Sequence, residues 1–392
     1  MRNVIKHILL LSMLAGVATS CVNVAPLDLD DVGQASLLER DMKKWAEERD
    51  LQKAQDESDQ AFLARVKKQY DLYYQAIRDY KKSDHKIVYG WFSGWTATEG
   101  VDRSFLTNVP DSVDIVALWG GIGAFDENDP RYEDLRIAQQ VKGLKVVLCW
   151  QTSDSGLGLE GKIAGFNERN PGLNSVEKAR AYAKELTAFI KKHNLNGYDI
   201  DWEPTVGNHG GGCHNLYQNC EDWTQNSLPI RTFIEEMGKT FGPKQTEEYD
   251  PRGTGTLFLF DGQIEHMSRN FGDLGDYFNY FVNQNYDTIG PNHEVTSYVV
   301  NSIKGWDWKK YIQADEFEKN AADAGVCGKD GDKLCAYRKA ENVVAKDYGG
   351  WAAYHIELDK DYIHTKKVIQ IMNPSSFYSP DNNTINKLLD VK

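Results

Sequence analysis

Between residues 86 and 372 the chain repeats one pattern, a short apolar run followed by a stretch whose apolar residues keep helical spacing. The apolar runs fall at 87–92, 113–119, 145–150, 197–203, 256–260, 280–285, 311–314 and 350–355. Such alternation implies βα units and a parallel sheet, because parallel neighbours need a crossover and a helix supplies it. Eight units over about 270 residues match the strand count and size of a (β/α)8 barrel, an α/β fold. The clearest crossover is 175–193: Asn174 and Glu177 are spaced as a reciprocal N-cap pair, and Val176, Ala179, Ala183, Leu186, Phe189 and Ile190 form one apolar face. An open doubly wound sheet is the alternative. No glycine-rich phosphate fingerprint follows the first run, which argues against a nucleotide-binding version of it.

The chain ahead of the repeats divides in two. Arg2 and Lys6 precede an apolar stretch from Ile8 to Val17, too short to span a membrane, and Ala18-Thr19-Ser20-Cys21 follows. Small residues before a cysteine resemble a bacterial lipoprotein signal. The resemblance implies removal of residues 1–20 and lipid on Cys21, and the expected place is the outer membrane of a Gram-negative bacterium, at the cell surface. An ordinary signal peptide would export the chain equally. Residues 22–35 read as a tether, and residues 36–84 as a helix leading into the barrel, with apolar positions at Leu63, Val66, Tyr70, Tyr73 or Tyr74, Ile77 and Tyr80. The expected organisation is therefore a signal over 1–20, a tether and N-terminal helical extension over 21–85, and a barrel over 86–392. The net charge of −13 repels phosphate backbones, so nucleic acid is not an expected partner.

The fourth run carries the chemistry. In a strand, alternate side chains share a face, so Asp199, Asp201 and Glu203 point one way and Tyr198, Ile200 and Trp202 the other. Three acids on one face of a buried strand are unfavourable unless they share protons or meet a ligand. Crowded like charges raise at least one pKa, as a general acid near neutral pH requires. The triplet also ends the run just before Pro204, at the end where barrel active sites lie. An exposed edge strand with solvated acids is the plainer reading of the same spacing.

Asn196-Gly197-Tyr198-Asp199-Ile200-Asp201-Trp202-Glu203 resembles the signature of glycoside hydrolase family 18, Asp-Gly-x-Asp-x-Asp-x-Glu, with Asn196 in place of the first acid. Asn283-Gln284-Asn285-Tyr286-Asp287 is similar to the sixth-strand motif of the family's endo-β-N-acetylglucosaminidase branch, with Gln284 and Tyr286 matching Gln-x-Tyr. Gly349-Gly350-Trp351 resembles the family's last-strand tryptophan beneath the bound sugar. The resemblance implies substrate-assisted retaining hydrolysis, a known departure from the two-carboxylate scheme. Glu203 would protonate the glycosidic oxygen while the substrate's N-acetyl carbonyl attacks the anomeric carbon. Asp201 would stabilise the resulting oxazolinium and share a proton with Asp199, and Gln284 and Tyr286 would hold the acetamido group. No cofactor is implied.

Within that family, many processive chitinases carry an extra domain between strands seven and eight. Here only 35 residues separate Ala314 from Gly350, so an open cleft is expected. Long loops at 151–174 and 204–228 would rim it and suit a branched glycan. The expected activity is an endo-β-N-acetylglucosaminidase acting on the core of N-linked glycans. A chitinase, a silent glycan-binding protein and a structural lipoprotein are the alternatives. Cys213 with Cys220 and Cys327 with Cys335 are placed as local disulfides of an exported chain would be, and Cys149 as a small buried residue. His209, Cys213, His214 and Cys220 match no strong zinc spacing, so no metal site is expected. Trp91, Trp95, Trp119 and Trp150 fit sugar platforms or barrel packing equally.

Overall fold

The computed structural model describes residues 29–151, 159–203, 227–291 and 295–374. Eight parallel strands close in sequence order into a barrel, which excludes the open sheet. They are β1 (Ile87–Phe92), β2 (Ile115–Trp119), β3 (Lys145–Gln151), β4 (Gly197–Trp202), β5 (Leu257–Gly262), β6 (Tyr280–Asn283), β7 (Tyr311–Glu316) and β8 (Gly350–Tyr354). Each apolar run of the sequence is one strand. The sixth ends two residues early, so Gln284 and Tyr286 lie just beyond its C-terminal end.

Helices α1 (Leu29–Glu48) and α2 (Asp59–Tyr80) precede the barrel. Around it lie α3 (Pro130–Arg136), α4 (Lys162–Arg169), α5 (Ser175–Lys192), α6 (Leu228–Met237), α7 (Ile264–Phe271), α8 (Ser297–Asn301), α9 (Cys335–Lys346) and α10 (Ile363–Met372). The expected capping box of α5 is present, with Asn174 Oδ1 accepting from Val176 and Glu177 N–H and Glu177 Oε2 accepting from Asn174 N–H. No helix among the described residues is long and apolar enough to cross a membrane.

Strand alternation sorts the core into two shells. Tyr89, Trp91, Ile115, Ala117, Val147, Cys149, Leu259, Val282, Ile312, Ala314 and Ala352 fill the barrel. Tyr198, Ile200, Trp202, Phe258, Phe260 and Trp351 face the helices. The interior pairs large with small: Ala117, Ala314 and Ala352 leave the volume that the Tyr89 and Trp91 rings occupy. Outside, the Tyr198 ring meets Phe233 of α6 at 5.8 Å and Trp202 meets Phe271 of α7 at 5.5 Å, both edge-on. Burying each such side chain contributes about 1.5–3 kcal/mol.

The N-terminal extension is two helices rather than one helix after a tether. The first already begins at Leu29, and the break ends where the Ser58 side chain caps α2 by accepting from Ala61 N–H. Trp45, Tyr70, Tyr73, Tyr74 and Ile77 hold the pair together. The pair docks on the segments leading into β2 and β3. Lys142 Nζ lies 3.1 Å from Asp41 and 3.5 Å from Asp111, Tyr70 donates to Asp41 at 2.6 Å, and Tyr73 donates to Asp111 at 2.9 Å. This is the N-terminal pole of the barrel, away from the strand ends that carry the acids. Asn373, after α10, closes the same pole, accepting from Lys86 N–H at 2.9 Å and donating to Lys86 O at 2.8 Å.

Candidate active site

Strand β4 delivers Asp199 and Asp201 into the barrel, both buried, while Glu203 follows the strand at the partly exposed mouth. The register brings a fourth acid to them: Asp201 pairs with Asp261 of β5, and Asp199 with Cys149 of β3. Asp261 is also fully buried. The backbone permits this because Gly262 follows at φ +110, where a Cβ would stand 2.3 Å from Trp202 O.

Neutral donors converge on the three buried carboxyls. Tyr89 OH donates to Asp199 Oδ2. Trp91 Nε1 lies 2.9 Å from Asp261 Oδ2 and 3.2 Å from Asp199 Oδ2. Gln284 Nε2 lies 3.0 Å from Oδ1 of both Asp201 and Asp261. Even so, burial raises the pKa of Asp199. Burial, followed by the nearby charge of Glu203, pushes Asp201 well above the ordinary carboxylate range. Burial, followed by the charges of Asp199 and Asp201, does the same to Asp261. Each of the three is thereby biased toward its protonated form, as the crowding of acids on one face requires. Cys149 is a buried free thiol, and burial pushes it up as well. Cys149, Asp199 and Asp261 offer ligand atoms within 4.8 Å of one another. The Trp91 N–H points at both carboxyls, however, and that dipole disfavours a cation between them.

Aromatic rings line the mouth. Tyr286 stacks near Tyr354 of β8, centroids 6.4 Å apart and planes at 24°. Tyr354 meets Trp119 of β2 edge-on at 5.7 Å, and Trp119 lies 5.3 Å from Trp150. Burial raises the Tyr286 phenol far above its ordinary value, and the charges of Asp261, Asp201 and Glu203 add to the effect. The site thus combines a partly exposed carboxyl, a cluster of acids with raised pKa values, an amide locked onto that cluster, and aromatic walls. That set can protonate a leaving oxygen and stabilise positive charge developing beside Asp201.

Glu203, Asp201, Asp199, Gln284 and Tyr286 come together as the sequence suggests. Trp351 does not join them. Its position in β8 turns it outward, where it is fully buried among the helices and donates Nε1–H to Asp315 at 2.6 Å. Tyr354, three residues on, has the inward parity that a sugar platform needs. Trp91 serves the acid cluster, and Trp95 is buried, donating to Asp134 at 2.8 Å. The sequence expectations do not include Asp261, although an acid closing the apolar run Leu257-Phe258-Leu259-Phe260 is the signal that marks it. Cys327 and Cys335 form a disulfide. Cys21, Cys213, Cys220, His209 and His214 lie outside the described residues.

A family model described as glycoside hydrolase family 18, BT1044-like, matches residues 54–375. The chain belongs to glycoside hydrolase family 18. The family 18 match begins at residue 54, so it includes α2 as well as the barrel. A glutamate-to-glutamine variant of BT1044, in its selenomethionine form, is similar in structure with a TM-score of 0.57 and 26% identity, over 78% of this chain and 93% of that one. An endo-β-N-acetylglucosaminidase from Cordyceps militaris, in apo form, has a TM-score of 0.55 at 21% identity, covering 77% of this chain and 95% of its own. A doubly substituted form of the same fungal enzyme, in complex with fucosyl-N-acetylglucosamine-Asn, has a TM-score of 0.53 at 21% identity. At that identity the fungal structures establish the shared fold. No curated protein sequence matches the chain.

Proposed function

We propose that this family 18 hydrolase is an endo-β-N-acetylglucosaminidase that cleaves the β-1,4 bond between the two N-acetylglucosamines at the core of N-linked glycans. The observation that carries the reading is Gln284 joined to Asp201 and Asp261, with Tyr286 beside them at the mouth. In the proposed reaction Glu203 gives its proton to the glycosidic oxygen. The acetamido carbonyl attacks the anomeric carbon, and Asp201 holds the acetamido N–H as positive charge develops there. Water then opens the oxazolinium, returning a proton to Glu203. Gln284 keeps Asp201 oriented for that step, and Asp201 shares a proton with Asp199.

The connection between β7 and β8 supports an open cleft over a tunnel. Residues 317–349 hold a short turn, the Cys327–Cys335 disulfide and the single helix α9, with no inserted domain. An open cleft offers few subsites to a linear polymer, so mannose branches beyond the cleaved bond would supply the remote binding energy that orients the acetamido group. We further propose that lipid on Cys21 holds the enzyme at a Gram-negative outer membrane.

The test compares chitin hexamer with a glycoprotein carrying defined N-glycans, products being read by mass spectrometry. The reading expects glycans released with one N-acetylglucosamine, its partner left on asparagine, and slow attack on chitin. Efficient chitin cleavage without release from any N-glycoprotein would make the chain a chitinase. Binding of glycans without cleavage of either substrate would make it a lectin.

A further inference from the structure

Lys339 of α9 is fully buried, and the catalytic scheme gives it no task. Its Nζ is 2.9 Å from Tyr286 O, 3.2 Å from Asn285 O, 2.6 Å from Ala314 O and 3.0 Å from Asp315 Oδ1. Two successive carbonyls just beyond β6 thus point at one ammonium. Asp315, itself fully buried on β7, is held in turn by Trp351 Nε1–H at 2.6 Å. Desolvation lowers the Lys339 pKa, and Asp315 opposes the shift.

We infer that Lys339 is a positioning residue that sets the backbone of Asn285 and Tyr286, and through it the aim of Tyr286 and Gln284 at the acetamido group. The inference rests on the function proposed above. A buried ion pair is commonly replaceable by apolar residues of the same volume with no loss of stability. What apolar residues cannot do is bind carbonyls. With both carbonyls drawn outward to α9, the peptide planes at 285 and 286 are fixed. The Tyr286 ring is left at the mouth beside Tyr354, and Gln284 on the acids. The Tyr286 N–H closes the turn onto Gln284 O at 2.8 Å, so the two side chains share one rigid frame. Ala314, Asp315 and Trp351 tie that frame to β7 and β8, and the Cys327–Cys335 disulfide ties down the first residue of α9.

The experiment uses the full chain carrying Lys339→Met with Asp315→Asn, which removes both charges together and leaves Trp351 an acceptor. Lys339→Gln, a neutral donor of similar length, replaces it if the double variant does not fold. Three quantities are read well below Tm: hydrogen exchange over residues 284–290, kcat and KM on an N-glycoprotein, and affinity for N-acetylglucosamine-thiazoline, a stable mimic of the oxazolinium. We expect exchange in that segment to quicken at least tenfold. We expect kcat to fall at least tenfold with KM within threefold, and thiazoline affinity to fall by the factor lost in kcat/KM. Tyr286→Phe should also have less effect in this background than in the wild type. A purely structural role would lower Tm and leave all of these unmoved. Wild-type exchange over 284–290, or an undiminished effect of Tyr286→Phe, would overturn the inference. If the wild type neither cleaves an N-acetylglucosaminide nor binds the thiazoline, the proposed function fails instead. The exchange measurement then still decides what Lys339 positions.

Discussion

Gln284, carried just past β6, reaches over β5 to donate its amide N–H to Asp201 of β4 at 3.0 Å. The same nitrogen is 3.0 Å from Asp261 on the strand between. An amide cannot give its proton away, so both carboxyl oxygens facing it stay acceptors. Gln284 so acts on the buried acids as well as on the substrate proposed for it.

Replacing Glu203 by Gln keeps the shape at the mouth and removes the transferable proton. Hydrolysis is expected to fall by ~10²–10⁴-fold, with an unchanged melting curve. Near-wild-type turnover of a glycoprotein substrate would take Glu203 out of the reaction.

Asp261 links stability to pH in a definite direction. Its folded pKa lies well above the ordinary carboxylate value, with burial the largest cause. Over the window from about pH 4 up to the raised value, the native state keeps a proton that the unfolded chain has released. The stabilisation is complete below that window and is lost as pH rises through it. Asp261→Asn imitates the protonated form at every pH. The variant's Tm should therefore decline less between acid and neutral pH, leaving it the more stable protein at pH 7. Parallel Tm profiles would show that Asp261 is ionised in the native state.

The two aromatic residues of β8 should separate by function. Trp351→Phe removes the donor to buried Asp315, and one lost bond to a charged group costs about 1.5–3 kcal/mol. Its main expected effect is a lower Tm, with the glycan KM within twofold. Tyr354→Ala should instead raise KM about threefold to tenfold, the range of one aromatic contact, with the smaller change in Tm. The opposite pattern would restore Trp351 to the sugar.

Membrane attachment is checked apart from catalysis. The wild-type chain should partition with membranes and begin at a lipidated Cys21, and Cys21→Ala should release it into the soluble fraction. A lipid-free mature N-terminus at any other residue ends that proposal.

Most of the barrel is legible in the sequence because burial on both faces makes each strand a continuous apolar run. The acids of β4 are legible because alternation alone puts Asp199, Asp201 and Glu203 on one side. What joins them is a matter of register between strands distant in sequence, so Asp261 stays hidden until β5 is set beside β4. Trp351 resembles the sugar-platform tryptophan by motif alone, whereas its side is decided by parity within β8, where Ala352 takes the inward position. Lys339 reads as one more solvent-facing base on an amphipathic helix, and only the packing of α9 over the end of β6 encloses it. The expected single N-terminal helix fails for a local reason: the Ser58 cap starts a new helix inside a stretch of uniform polarity.

The Asn373–Lys86 clasp and the docked hairpin have a practical meaning for handling the molecule. Entry to the barrel and exit from it meet at one pole, and the opening looks out from the other. A fusion partner, bead or surface joined directly after Asn373 should sit behind the enzyme like a handle. A bulky substrate as large as an intact glycoprotein can then approach from the front without meeting whatever the enzyme is mounted on.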